Sequence, residues 1–279
     1  MKDFSKKTVV ITGAGSGIGR ALAVEFGKLG AKLALNDFKK DGLDETVSML
    51  RDGGTTEIYT EVFDVSDADA MFSFANAVKA QLGNAHIIIN NAGTSGAFAP
   101  AFTKPLEIYR KVMDVNFFGV VHGTKAFLPQ LVANNEGAVV NISSVMGLFG
   151  SPNSTDYSAS NFAVRGFTEA LAVEFHKSPI GIHCVHPGGT DTNINDSVMS
   201  DTPRDGFDKA FLKTPPRDLA KRIIRGIRRK ELRIIYGNQS FLVWFASTFL
   251  PRKVQNRMIW KKIGRSLNME AYRLFVKGK

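Results

Sequence analysis

One cysteine, Cys184, stands in 279 residues, which excludes an internal disulfide and sets the expectation of a reducing, intracellular setting. Long apolar runs are missing too, for none approaches the roughly 18 residues of a spanning helix. The opening Met1-Lys2-Asp3-Phe4-Ser5 has neither the apolar core nor the cleavage pattern of a secretory signal. The expectation is a cytoplasmic protein. Histidine is scarce, and the close pair His183 and His186 lies in an apolar run whose alternate side chains face opposite ways, so no metal is expected. Repeats and low-complexity segments are absent, and the length suits one α/β core with an extension.

What is present begins with an uneven charge. Of the net +10, residues 217–279 carry 17 Lys/Arg against three acidic residues, and residues 1–216 carry 19 against 23. No recognised nucleic-acid module accompanies the basic tail, so no nucleic-acid partner is expected. Phe241, Trp244, Phe245, Phe249 and Leu250 can share one helical side with Arg252, Lys253 and Arg257 close by, a pattern that fits peripheral membrane association. A helix packed over a substrate pocket or against another subunit fits the same residues. The expected division is residues 1–237 as one domain and 238–279 as a basic, partly apolar extension.

Apolar, β-rich runs at 8–11, 32–36, 58–64, 86–90, 138–143, 181–186 and 232–236 alternate with amphipathic stretches at 19–29, 67–81 and 156–177. This rhythm predicts an α/β fold, a Rossmann-type doubly wound parallel sheet of about seven strands with helices on both faces. Near-continuous hydrophobicity, as in Ile87-Ile88-Ile89, is what a strand covered on both faces requires. A polar, proline-containing segment at about 191–216 breaks the rhythm and reads as a lid. Its Met199, Phe207 and Phe211, with Phe149, point to a fairly large apolar substrate.

The first strand runs into Thr12-Gly13-Ala14-Gly15-Ser16-Gly17-Ile18-Gly19. A glycine-rich turn between a strand and a helix permits a sharp bend at Gly13, close backbone approach around Ser16, Gly17 and Ile18, and tight helix packing at Gly19. The helix N-terminus then faces a pyrophosphate. Asp37, eighteen residues after Gly19, ends the second strand, where a carboxylate accepts from ribose hydroxyls and repels a 2′-phosphate. Ser144 stands thirteen residues before Tyr157. Together these features resemble the short-chain dehydrogenase/reductase family over about residues 6–236. The resemblance implies an enzyme using NAD, with NADP disfavoured, to interconvert a small apolar alcohol and a ketone or aldehyde, as a homodimer or homotetramer. It further implies cofactor contacts at Asp64 and Val65, at Asn91, Ala92 and Gly93, and at Pro187, Gly188, Thr190 and Thr192.

For catalysis the resemblance implies that Ser144 orients the substrate oxygen, Tyr157 exchanges its proton, and Asn116 supports a proton path. Ser143 is the neighbouring competitor of Ser144. The family's Tyr-x-x-x-Lys motif reads Tyr157-Ser158-Ala159-Ser160-Asn161 here. Asn161 is neutral and cannot favour a phenolate by Coulomb attraction, although its amide can still bond a ribose hydroxyl. Tyr157 is then expected to titrate nearer the reference value of about 10, with a rate loss on the order of 10²- to 10⁴-fold. Arg165, one turn further on, is expected to lie too far away to replace the charge. The rival expectation is a nucleotide-binding or membrane-surface scaffold without turnover.

Overall fold

The computed structural model describes residues 1–191 and 213–263. Thr192 and most of the expected lid, with Met199, Phe207 and Phe211, lie outside the described residues, as does 264–279. Seven strands, β1 Thr8–Thr12, β2 Lys32–Asp37, β3 Ile58–Val62, β4 Ala85–Asn90, β5 Gly137–Ile142, β6 Ile180–Pro187 and β7 Arg233–Tyr236, form one sheet in the order β3-β2-β1-β4-β5-β6-β7. Every neighbouring pair is parallel. The helices among the described residues are α1 Gly17–Gly27, α2 Lys40–Asp52, α3 Ala68–Leu82, α4 Leu106–Met113, α5 Gly119–Ala133, α6 Thr155–Glu174, α7 Pro216–Arg229, α8 Ser240–Phe249 and α9 Arg252–Ile263.

Strand side chains alternate between two apolar layers, because successive Cβ atoms leave opposite faces of the sheet. Val9, Ile11, Leu33, Leu35, Ile87 and Ile89 pack with Leu22 and Phe26 of α1 and Ile223 and Ile227 of α7. Val10, Ala34, Ile88 and Val139 pack on the other face with Phe74 of α3, Phe127 and Leu131 of α5, and Leu171 of α6. Burying each such large side chain contributes roughly 1.5–3 kcal/mol.

β3 ends at Val62, not at residue 64. It is an edge strand with Val62 half exposed, and Asp64 and Val65 follow it as loop. β5 ends at Ile142, one residue before Ser143. The expected lid also ran too far, because Pro216 is the first residue of α7, which suits a residue that needs no N–H donor there.

The strand order reverses between β1 and β4. Loops leaving the C-terminal ends of these two strands diverge to opposite faces, and ligands of open α/β sheets bind in the crevice so formed.

Candidate active site

The glycine turn is drawn onto the loop after β4 by hydrogen bonds that cross the switch point. Asn91 Nδ2 donates to the carbonyls of Thr12 and Gly13 at 2.9 and 3.1 Å, and Thr12 Oγ1 accepts the N–H groups of Asn91 and Ala92 at 3.0 and 3.1 Å. Gly13 has φ +65°, and a Cβ there would sit 2.8 Å from Ala92 Cα, so both its conformation and its contact require glycine. A Cβ on Gly19 would collide with the Gly13 carbonyl. Ser16 is the N-cap of α1 without a side-chain cap, and the first turn has no acidic residue. Uncapped amide groups at this turn, on a backbone that glycine lets bend and pack this tightly, fit the phosphates of a dinucleotide.

Asp37 is 7% exposed at the end of β2. Its Oδ2 accepts the Gly15 N–H at 2.8 Å and its Oδ1 the Lys39 N–H at 2.9 Å. The carboxylate is thereby fixed against the glycine turn. Arg20 is near, donating to the carbonyls of Gly15 and Gly42, but it is committed to Glu45 at 2.7 Å. Across the crevice, Pro187 ends β6, the Gly188 N–H is held by the Tyr236 carbonyl at 2.7 Å, and Thr190 Oγ1 donates to the Gly188 carbonyl at 3.0 Å. Asp64 is exposed and accepts from Ser66, while the Val65 carbonyl accepts from His122. The described members of the expected cofactor set lie at or just beyond the C-terminal end of β1, β2, β3, β4 or β6, apart from Tyr157 and Asn161, the two expected on the cofactor from α6.

Ser144 follows β5 as the N-cap of a 3₁₀ turn, Val145–Gly147, with its Oγ accepting the Met146 N–H at 3.2 Å. Acceptance leaves the hydroxyl proton for a substrate oxygen. Ser143 is buried and donates its Oγ–H to the Asn161 carbonyl at 3.0 Å. Tyr157 is the third residue of α6, half-buried, and not its first. The 3₁₀ turn presses on α6, where a Cβ on Gly147 would lie 2.9 Å from the Asn161 carbonyl. This contact couples the turn carrying Ser144 to the helical turn carrying Tyr157.

Asn116 sits in a single π-helical turn, Asp114–Phe118, between α4 and α5. Its amide clasps the Thr94 backbone, accepting from N–H at 2.8 Å and donating to the carbonyl at 2.9 Å, and also donates to Ser160 Oγ at 3.1 Å. Ser160 Oγ in turn donates to the Tyr157 carbonyl at 3.0 Å. Asn161 is buried, and its Nδ2 donates to the same Tyr157 carbonyl at 2.8 Å. One carbonyl therefore receives two side-chain donors. Arg165 is engaged by Glu169 at 2.9 Å.

Two groups have roles that no motif in the sequence marks. His186 donates from Nδ1 to the Ser144 carbonyl at 2.9 Å, anchoring the turn that presents the serine hydroxyl. A carbonyl only accepts, so Nδ1 carries the proton, and Nε2 is buried without a partner. Burial pushes its pKa down to about 4. His183 is likewise pushed down by burial and donates to the Glu231 carbonyl at 2.6 Å, while burial raises the Cys184 thiol to about 12. Both histidines are core residues, neither at the surface.

The second group is a fully buried ion pair between Lys104 and Asp156, with Asp156 also accepting the Ala97 N–H at 3.1 Å and Lys104 donating to the Asn153 carbonyl at 3.2 Å. It fastens the segment after β4 to α6, next to Tyr157. Neither residue carries a sequence signature, since each reads as an ordinary surface charge.

Known proteins of similar sequence and fold show the family. The sequence model of the family described as short chain dehydrogenase matches residues 7–203. The chain is 40% identical over 247 residues to the Mycobacterium tuberculosis protein named "Putative oxidoreductase SadH", covering 85% of this chain and 88% of that one. It is 35% identical over 257 residues to human epidermal retinol dehydrogenase 2, covering 90% of this chain and 81% of that one. Among solved structures, a short chain dehydrogenase/reductase from Burkholderia phymatum in complex with NAD superposes with a TM-score of 0.78 at 31% identity, covering 84% of this chain and 90% of that one.

Proposed function

Because the chain belongs to the short-chain dehydrogenase family, we propose that it is an NAD(H)-dependent oxidoreductase interconverting an apolar alcohol with its ketone or aldehyde. The observation that supports this reading is that the uncapped glycine turn after β1 and Ser144 after β5 both follow the C-terminal ends of interior strands, with the α6 turn of Tyr157 packed on the turn of Ser144. A bound nicotinamide supplies the acceptor or donor of hydride. Ser144 holds the substrate oxygen through its hydroxyl proton, and Tyr157 exchanges the alcohol proton. Asn116 fixes the segment at Thr94 and, through Ser160, the turn of α6 that carries Tyr157.

NAD is favoured over NADP by the Asp37 carboxylate, held in place by two backbone N–H groups, because a 2′-phosphate beside it meets like charge. An apolar substrate is supported by the human relative, which is named for retinol. The reading includes a cytoplasmic enzyme that works as a homodimer or homotetramer, which light scattering would test.

Asn161 takes the position of the family's lysine in this reading, and turnover is impaired in proportion to the missing charge. A second reading, a nucleotide-binding scaffold without turnover, is favoured by one observation: the Asn161 amide nitrogen donates to the carbonyl of its own helix and carries no charge. Calorimetric titration with NAD⁺, NADH and their 2′-phosphorylated forms, followed by turnover assays on alcohols and ketones, separates the two. Preferred NAD(H) binding with slow turnover is expected. Tighter NADP(H) binding overturns the cofactor assignment, and binding without turnover at any pH leaves the scaffold reading.

A further inference from the structure

The C-terminal pair α8 and α9 inverts the usual amphipathic order. On α8, Phe241, Phe245 and Phe249 recur every four residues, with Leu242 beside them, and these are the exposed side chains, at 67%, 47%, 62% and 57%. A helix that packs on its own protein turns such a stripe inward. Here Val243, Trp244, Ala246 and Ser247 are the more covered residues, and α8 rests on β7 and on the 3₁₀ turn that follows Ser144. No charged residue occurs between 240 and 250.

α9 adds the opposite character. Residues 252–263 hold five basic residues and no acidic one. Arg252, Lys253, Arg257 and Lys261 are exposed beside Val254, Met258 and Trp260, themselves 43%, 45% and 51% exposed. The two helices are held as a unit, because buried Gln255 donates to the carbonyls of Ser247 and Leu250 at 3.3 and 2.7 Å. Among the described residues no helix is long and apolar enough to cross a membrane, and the ten residues of α8 reach only about 15 Å.

We propose that α8 and α9 form a docking face for an anionic lipid bilayer, with the Phe241–Phe245–Phe249 stripe entering the headgroup boundary and the cations of α9 meeting lipid phosphates. Charge complementarity selects this occupant. A second copy meeting the same face across a two-fold axis brings the basic residues of α9 together, which opposes association, whereas an acidic surface neutralises them. A nucleic acid would engage the cations and leave the phenylalanine stripe in water. The proposal stands apart from the assigned reaction, because it rests on no residue of the cofactor cleft.

Sedimentation of the full chain with vesicles of phosphatidylcholine, alone or mixed with phosphatidylglycerol, tests it. Partitioning onto the mixed vesicles is expected to be at least about tenfold stronger and to fall severalfold at high salt. Phe245→Ser/Phe249→Ser is expected to lose about tenfold or more of that binding, with melting temperature and NAD⁺ affinity unchanged. Arg252→Glu/Lys253→Glu/Arg257→Glu is expected to abolish the preference for phosphatidylglycerol. Absence of vesicle binding overturns the proposal, as does binding that survives the double phenylalanine replacement. A phenylalanine variant that changes molecular mass by light scattering while vesicle binding stays low in both proteins assigns the face to a second copy and overturns it equally. NAD⁺ affinity, measured on the same samples, reads the cofactor assignment separately.

Discussion

Asn161 is held at both ends of its backbone environment, with its amide on the Tyr157 carbonyl and its own carbonyl accepting from Ser143. Replacing it by lysine restores a positive charge in the cleft while leaving the Ser143 bond to the backbone possible. Asn161→Lys is expected to raise alcohol oxidation at pH 7 by on the order of 10²-fold or more, with little change in NAD⁺ affinity; steady-state rates and calorimetry check both. Tyr157→Phe in that background is expected to remove the gain. An unchanged rate with a substrate that demonstrably binds refutes the charge argument. His186 gives a second expectation at this scale. Its folded pKa of about 4 lies below the ordinary 6.5, so the unfolded chain takes up a proton that the folded chain refuses. Stability is therefore complete above about 6.5 and is lost as pH falls from there towards 4. The slope is up to about 1.4 kcal/mol per pH unit for each such histidine, and His183 adds in the same direction. Denaturant unfolding between pH 7 and 5 reads this, and His186→Asn, which can retain a donor to Ser144, is expected to flatten the dependence.

At the scale of elements, the Lys104–Asp156 pair decides how firmly the chain after β4 is tied to α6. Lys104→Met removes the cation and leaves a buried carboxylate, which is expected to cost about 3–5 kcal/mol in urea unfolding. Replacing both, as Lys104→Met/Asp156→Leu, is expected to recover part of that loss, although the Ala97 N–H then loses its acceptor. Such a pair, 52 residues apart, cannot be foreseen from sequence, because nothing local distinguishes it from two solvated charges. The π turn at Asn116 is equally silent, since one extra residue in a helical turn leaves no mark on a short polar and aromatic stretch. The strands are legible for the opposite reason: β1, β4 and β5 are buried on both faces, and their centres are continuous apolar runs, residues 9–11, 87–89 and 138–140. β3, half exposed at the edge, carries a weaker boundary in its sequence, and it ends at Val62, two residues short of the expected Asp64. Glycine-turn residues and Asp37 were legible because backbone geometry restricts what fits there. His186 was not, because its task is to hold a carbonyl that the sequence does not show.

The whole molecule carries its basic excess in the last quarter of the chain, with α8 of that stretch resting on the turn that follows Ser144 at the C-terminal ends of the strands. The lone thiol of Cys184 lies inside the core. It is 1% exposed on β6, flanked by β5 and β7, and its N–H is held by the Leu232 carbonyl at 2.7 Å. A thiol so enclosed, with a pKa near 12, cannot meet a water-soluble disulfide reagent until the sheet parts around it. It is thus an internal clock for the opening of β6, with no second cysteine to confuse the signal. Modification of the native protein is expected to be slow and mono-exponential, and to become immediate in denaturant. If the same opening dismantles the crevice, NAD⁺ at a hundred times its dissociation constant slows the clock about a hundredfold. An unchanged rate means instead that β6 breathes while the nucleotide stays bound, so that the two halves of the sheet come apart as separate cooperative units.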